Sequence, residues 1–413
     1  MLDVNAIRQH FPFFEINKDV AYLDSAASTL KCRECIEKMD EYMEHNGSNV
    51  HRGVYKLSYE ATCEYEDARS VIAKFINADF NEVVFTRGCS QALNLIASSY
   101  GMDFINEGDE VVTSLLEHHS SHMPWINVCN KKKATLKYIP LDEHNRITVE
   151  NFKKVLTNKT KVVAITQVSN VMGYLTPLNE IIELAHSVGA IVIVDGAQSI
   201  PHMKVDVKAL DCDFLCFSGH KMCGPTGVGV MYGKLSLLNK MNPIEFGGDM
   251  AEDVFEHEMT FKDAPYKFET GTPMIAEVLG LASACKFLDS IGLDNIYKHE
   301  KELKDYCISK LKEIDNVIIY NPDSDTGVIA LNIKGTHPHD AASVFDKNNV
   351  CLRAGHHCAQ LITRHLKSPG TLRISFYMYN DKNDVDKFIE SVKEASEFFG
   401  MFMWGMYEDR RTI

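Results

Sequence analysis

No stretch of this chain reaches the roughly 18 consecutive apolar residues that a membrane-spanning helix needs, so no membrane span is expected. The start, Met1-Leu2-Asp3-Val4-Asn5, lacks a basic region followed by an apolar one, and no signal peptide is expected. Positive charge is scarce. Forty-three Lys and Arg face 57 Asp and Glu, a net charge of −14, which is a poor match for a phosphate backbone and argues against nucleic acid as a partner. There is no G-x-x-x-x-G-K-[ST], and no strand leads into G-x-G-x-x-G. Any phosphate bound here is therefore not expected to belong to ATP or to a Rossmann-bound dinucleotide. Internal repeats and low-complexity linkers are absent. Cys32 and Cys35 form the single C-x-x-C, with no second pair at zinc-finger distance, so they read as a structural helix-face pair and no metal is expected. Twelve cysteines without an export signal point to reduced thiols in a cytoplasmic protein.

What is present is a soluble globular composition, 45% hydrophobic and 24% charged, over 413 residues, a length that favours two domains. From residue 82 to 232 short β-branched runs alternate with helical periodicity. The run 190–195, Ala-Ile-Val-Ile-Val-Asp, suits a strand buried on both faces. The alternation predicts an α/β domain, a mostly parallel sheet wrapped by helices. Near residue 276 the pattern changes to two long helices followed by short strands with helices between them, which reads as a smaller α+β domain. The expected division is 20–275 for the large domain and 276–413 for the small one, with 1–19 packing on the latter.

In an α/β sheet, ligands sit at the carboxyl ends of strands, and four such ends carry chemically loaded residues. The turn Thr86-Arg-Gly-Cys-Ser-Gln91 opens a helix whose free N–H groups suit a phosphate. There Ser90 either adds a hydroxyl or merely caps the helix. Leu116-Glu-His-His-Ser120 places His118 either flat on an aromatic ligand or toward solvent. Asp195 ends a wholly apolar strand, and it would either protonate a pyridine nitrogen or cap a helix. Gln198 nearby would reach a ring substituent. Ser218-Gly-His-Lys221, followed by glycines, puts Lys221 either on a tight, buried turn, where burial lowers a lysine pKa and suits Schiff-base chemistry, or on the surface of a Gly-rich hairpin. Taken together and in order, these are what pyridoxal 5′-phosphate requires. The second domain supplies Arg353-Ala-Gly-His-His-Cys358. A thiol near a helix start and two histidines is expected to have a lowered pKa and to be nucleophilic. Arg373, on a short apolar strand, would clamp a carboxylate or sit in a structural ion pair.

These motifs, with Tyr22-Leu-Asp-Ser-Ala-Ala27, Asn49-Val-His-Arg-Gly53, Val84-Phe-Thr-Arg-Gly88, Val168-Ser-Asn-Val171, Gly224-Pro-Thr-Gly227 and Gly271-Thr-Pro273, span about residues 20 to 380. They resemble a cysteine desulfurase of the SufS type, within the class V aminotransferase-like group of fold-type I pyridoxal-phosphate enzymes. The resemblance implies that Lys221 bonds the cofactor aldehyde, His118 stacks on its ring and Asp195 pairs with its nitrogen. Gln198 would meet the ring oxygen, while Ser90, Ser218 and His220 hold the phosphate. Thr272 would reach the phosphate of a partner subunit, implying a homodimer. Asn170 would lie beside cofactor and substrate, Arg373 would bind the substrate carboxylate with Arg353 nearby, and Cys358 would accept sulfur from L-cysteine as a persulfide for iron–sulfur cluster assembly. Cys89 stands where these enzymes often carry threonine, so one phosphate hydroxyl is expected to be missing. Gln167 replaces a common histidine, and Phe246-Gly-Gly248 a longer glycine run. His337-Pro-His-Asp340 resembles the enzymes that serve a zinc-containing SufU-type acceptor, in which His339 would take over a zinc ligand. The alternative is a plain helix start with Pro338 in its first turn. Selenocysteine lyase and cysteine sulfinate desulfinase activities share this scaffold, and a non-catalytic scaffold protein is the remaining alternative. The tail 401–413, with Trp404, has no counterpart in the resemblance.

Overall fold

The computed structural model describes residues 2–409, with side chains through residue 400. Beyond that point lie the side chains of the tail. The chain divides into two compact units, one of Lys31–Val168 and Thr176–Leu293, the other of the described residues of Met1–Leu30, Ser169–Leu175 and Asp294–Ile413.

The larger unit holds a seven-stranded sheet: β1 (Val83–Thr86), β2 (Glu110–Ser114), β3 (Thr135–Ile139), β4 (Thr160–Thr166), β5 (Ile191–Asp195), β6 (Phe214–Ser218) and β7 (Gly229–Gly233). Their spatial order is β1-β7-β6-β5-β4-β2-β3. All neighbours are parallel except β7, which runs antiparallel to both β6 and β1. Every residue of β1, β2, β5, β6 and β7 is buried, as expected of unbroken apolar runs covered on both faces. Register sets Thr166 opposite Asp195 and Asp195 opposite Cys216, so the carboxyl ends of β4, β5 and β6 stand side by side.

The smaller unit carries an antiparallel sheet of β8 (Val317–Ile319), β9 (Val328–Ile333), β10 (Arg353–Gly355) and β11 (Thr371–Ser375), in the order β8-β9-β11-β10. A separate parallel pair joins Ala21–Tyr22 to Val350–Cys351. Helices Leu293–Leu311, Pro338–Lys347 and Lys382–Asp409 accompany these strands. Phe345 and Phe388 stack within its core, 5.5 Å apart. The N-terminal segment packs in this unit. Arg8 donates to Asp384 Oδ2 at 2.7 Å and to the Tyr379 carbonyl at 2.8 Å.

The division falls after Leu30 and Leu293, rather than after residues 19 and 275. Helix Ile275–Ile291 explains the second difference. It is apolar nearly all round, with eleven buried residues, and packs on helices Arg33–His45 and Lys56–Phe75 of the larger unit. The hairpin of Ala251–Val254 and Met259–Phe261 gives no sequence signal: its residues are largely exposed, and its apolar Val254 and Met259 face solvent. Among the described residues no helix is long and apolar enough to cross a membrane.

Candidate active site

In the larger unit the site grows from adjacent strand ends. Asp195, 4% exposed, accepts at Oδ1 from the Ala197 amide (3.0 Å) and from Cys89 Sγ (3.5 Å). Oδ2 accepts no hydrogen bond from the described residues. A carboxylate oxygen left open on a buried residue suits the N–H of a ligand. The Cys89 thiol faces Asp195, while its amide donates to Ser218 Oγ at 2.8 Å. Burial, then the Asp195 charge, pushes the Cys89 thiol well above its ordinary pKa, so it stays protonated and remains a donor.

Helix Cys89–Ile96 starts at Gly88 with no side-chain cap, which leaves first-turn N–H groups for an anion. The turn is crowded from below. A Cβ on Gly229 would lie 2.5 Å from Gly88 Cα, so only glycine fits there. Ser90 Oγ lies 2.6 Å from Ser120 Oγ, which lies 3.1 Å from His118 Nδ1. The Ser120 amide also donates to Nδ1 at 3.2 Å. An amide can only donate, so Nδ1 is bare and the proton of the neutral ring sits on Nε2. Ser120 thus fixes the tautomer of His118, a role invisible in the sequence. Glu117 beside it was also missed. It is 1% exposed, Oε1 accepts from Ser114 Oγ (2.6 Å) and the Thr166 amide (3.1 Å), and Oε2 is buried without a partner. Burial pushes its carboxyl up to about 8.

Gln198 is buried in the turn after Asp195. Lys221 closes the single 3-10 turn Gly219–Lys221 directly after β6. It is half-buried rather than enclosed, although Gly219 and residues 222–225 around it are buried. His220 next to it is held neutral, pushed down to about 4 by burial and by Lys221 and Lys31. The His220 carbonyl accepts from Lys31 Nζ at 2.9 Å. Thr272 is exposed, accepts from Asn49 Nδ2 at 3.3 Å, and borders a cavity of about 220 Å³ with Tyr65, Arg87, Gln91 and Glu245.

The smaller unit gathers the remaining candidates. Arg373, 2% exposed, donates through Nη1 to the Asn170 carbonyl (2.9 Å) and pairs through Nη2 with Asp24 (3.3 Å), while its Nε–H is buried without a partner. Asp24 also holds Arg353 at 3.0 Å. Arg373 thus makes a structural ion pair and keeps one buried donor without a partner, and Oδ1 of Asn170 is likewise buried and unpartnered. Asp24 had not been singled out, since it lies 349 residues from Arg373 in sequence.

Cys358 is exposed, and both it (φ 53°) and His357 (φ 52°) lie in the left-handed region, which costs roughly 1–2 kcal/mol per residue without glycine. Helix Gln360–His365 follows. The two histidines do not serve the thiol as their spacing suggested. His356 Nδ1 bonds Thr363 Oγ1 (2.8 Å) and His357 Nε2 bonds the Thr371 carbonyl (3.0 Å). His357 is pushed down to about 2 by burial and by Arg373, so it brings no positive charge. His339 follows Pro338, the first residue of its helix, and stacks on His337 at 5.5 Å. Its Nε2 lies 3.5 Å from where a Cβ on Gly355 would stand, beside the strand that leads to Cys358. All twelve cysteines are free thiols. Nine are buried, Cys351 is half-buried, and Cys63 and Cys358 are exposed. Among the described residues no group of three or more His, Cys, Asp or Glu could hold a metal ion.

Residues 21–388 match the aminotransferase class-V family model. The chain belongs to the class-V aminotransferase family. Within it, the chain is 47% identical over 403 residues to a probable cysteine desulfurase of Halalkalibacterium halodurans, covering 97% of this chain and 99% of that one. It is 46% identical over 403 residues to a probable cysteine desulfurase of Staphylococcus aureus, covering 96% and 98%. Two solved class-V structures superpose on nearly the whole molecule. One is the cysteine desulfurase CsdA (S-sulfonic acid) from Escherichia coli, with a TM-score of 0.91 at 34% identity, covering 96% of this chain and 99% of that one. The other is the apo cysteine desulfurase from Thermococcus onnurineus NA1, with a TM-score of 0.92 at 37% identity and the same coverage. The fold class expected from the sequence, that of the fold-type I transferases, is therefore the one found.

Proposed function

We propose that this class-V protein is a pyridoxal 5′-phosphate-dependent cysteine desulfurase that converts L-cysteine to L-alanine and takes the sulfur onto Cys358 as a persulfide. One observation carries the reading: buried Asp195, with one oxygen free of hydrogen bonds, shares a sheet edge with an uncapped helix start and the Lys221 turn. When bound, the cofactor supplies an aldehyde for the substrate amine and a ring that withdraws electrons from the α-carbon. Asp195 Oδ2 would accept the ring N–H and keep that nitrogen protonated. Helix Cys89–Ile96, Ser90 and Ser218 would hold the phosphate with neutral His220 nearby, Gln198 would meet the ring oxygen, and His118, its proton fixed on Nε2, would stack on the ring. Lys221 would bond the aldehyde, and its amine would move the substrate α-proton. The Nε–H of Arg373 would receive the substrate carboxylate, with Arg353 held nearby by Asp24 and Asn170 alongside the substrate. The Cys358 thiolate attacks the substrate sulfur. An S–S bond forms as the carbon–sulfur bond breaks, the electron pair of that bond goes to the β-carbon, which takes up a proton, and alanine leaves.

Two further parts of the reading concern partners. The exposure of Thr272 together with Val54, Tyr55, Phe246 and Phe255 supports a homodimer, in which Thr272 serves the other subunit's phosphate. The place of exposed His339 beside Gly355 supports a zinc-containing, SufU-like acceptor that takes the sulfur toward iron–sulfur cluster assembly. Free thiols throughout suit a reducing cytoplasm. The deciding assay is alanine formation from L-cysteine, with and without such an acceptor. Cys358→Ser should keep the cofactor's visible absorption and lose alanine and sulfide production. Undiminished turnover in that variant overturns the persulfide step and favours a lyase that releases its product directly.

A further inference from the structure

The thiol loop is tied into a closed circuit of hydrogen bonds. Arg373 Nη1 donates to the Asn170 carbonyl at 2.9 Å, and Asn170 Nδ2 donates to the His357 carbonyl at 2.8 Å. His357 Nε2 then reaches both the carbonyl (3.0 Å) and Oγ1 (2.8 Å) of Thr371. Thr371 and Arg373 lie two residues apart on β11, on the same face, which closes the ring. A carbonyl can only accept, so Nε2 carries the proton and Nδ1 is bare. Nδ1 is also buried with no donor. A buried acceptor left empty costs free energy, so the histidine is retained there for what its donor holds. What it holds is a strained segment, two successive left-handed residues that no glycine relieves.

We propose that His357 is the positioning residue of the reactive loop, clamping the left-handed His357–Cys358 pair to the strand that carries Arg373, so that the thiol and the carboxylate-binding guanidinium are held in one frame. The proposal rests on the desulfurase reading for the roles of Arg373 and Cys358. It assigns to the histidine beside the thiol a mechanical role in place of an acid–base one.

The test uses the holoenzyme and three readouts: the single-turnover rate of persulfide formation on Cys358, substrate affinity from the cofactor's absorption change, and the site-resolved rate of Cys358 alkylation by iodoacetamide. His357→Phe, which removes the donor, should slow persulfide formation about 10- to 100-fold while affinity stays within about twofold. His357→Gln, whose amide can donate to Thr371, should recover most of the rate. An unchanged rate in His357→Phe, or an affinity that falls in step with the rate, overturns the clamp. Should that variant not fold, Thr371→Val keeps the carbonyl and removes the hydroxyl. Persulfide formation about two- to fivefold slower is then expected, and no slowing overturns the proposal. A wild-type protein that forms no persulfide sinks the desulfurase reading instead. The clamp is then judged by alkylation alone: a several-fold change in the Cys358 rate in His357→Phe supports it, and an unchanged rate ends it.

Discussion

The two units place their functional groups by different means. In the larger one, Thr166, Asp195 and Ser218 end neighbouring strands, and ladder register sets Thr166 beside Asp195 and Ser218 two residues past Asp195's partner Cys216. The sheet that builds the core positions the site at no added cost. In the smaller one, Asp24, Asn170, Arg353, His357 and Arg373 come from separate segments and are joined by charge-assisted and amide hydrogen bonds, with a strained, exposed thiol at the end of the chain of contacts. Position follows from topology in the first case and from individual bonds in the second. Single substitutions should therefore separate the two.

The largest expected effect is in the larger unit. Lys221→Ala should abolish the cofactor's visible band and cut alanine formation by roughly 10²- to 10⁴-fold, the span of a lost acid–base group. The alkylation rate of Cys358 should not move, and a parallel loss there would erase the distinction between the units. Arg373→Lys comes next. The ammonium cannot reproduce the guanidinium's contacts with Asn170, Asp24 and an incoming carboxylate, so affinity for L-cysteine should fall about 10- to 100-fold with the absorption spectrum intact. Spectral titration checks this, and an altered resting spectrum would count against it. Cys89→Ala removes one donor from Asp195 and should weaken cofactor binding by about three- to tenfold. Cys89→Thr, with a hydroxyl in the same place, should restore it. Equilibrium dialysis of the cofactor distinguishes this from no effect.

The smallest effect concerns stability. Burial raises the Glu117 carboxyl from 4.5 to about 8 in the fold. Between those values the folded chain keeps a proton that the unfolded chain has lost, so stability falls as pH rises through that window. Glu117→Gln removes the dependence. Its Tm should exceed the wild type's by a few degrees at pH 9 and match it at pH 4.5. Equal melting curves at pH 9 would show that Glu117 does not titrate as its burial implies.

This contrast also explains what could be read from the residues alone. Asp195 was legible because an aspartate closing Ile-Val-Ile-Val has few other reasons to be there, and Lys221 because glycines frame it. The parallel sheet was legible from the alternation of apolar runs with helices. Asp24, Ser120 and Thr371 were not, since each acts through a neighbour that only tertiary folding supplies. Cys89 could be placed on the turn, but not aimed: the side of the turn its thiol takes depends on Ser218 from another strand. The misplaced boundary near residue 275 has a similar cause. Long apolar helices look alike in sequence whether they belong to one core or to the next.

The distribution of thiols bears on sulfur traffic. A persulfide exchanges readily with any thiolate it meets, and this chain carries eleven other cysteines. Nine are sealed in the interior and Cys351 is partly covered, so Cys63 is the one other open thiol on the protein's surface. Sulfur taken onto Cys358, as the proposed function has it, would therefore have almost nowhere to stray within its own molecule and would be left to an outside acceptor.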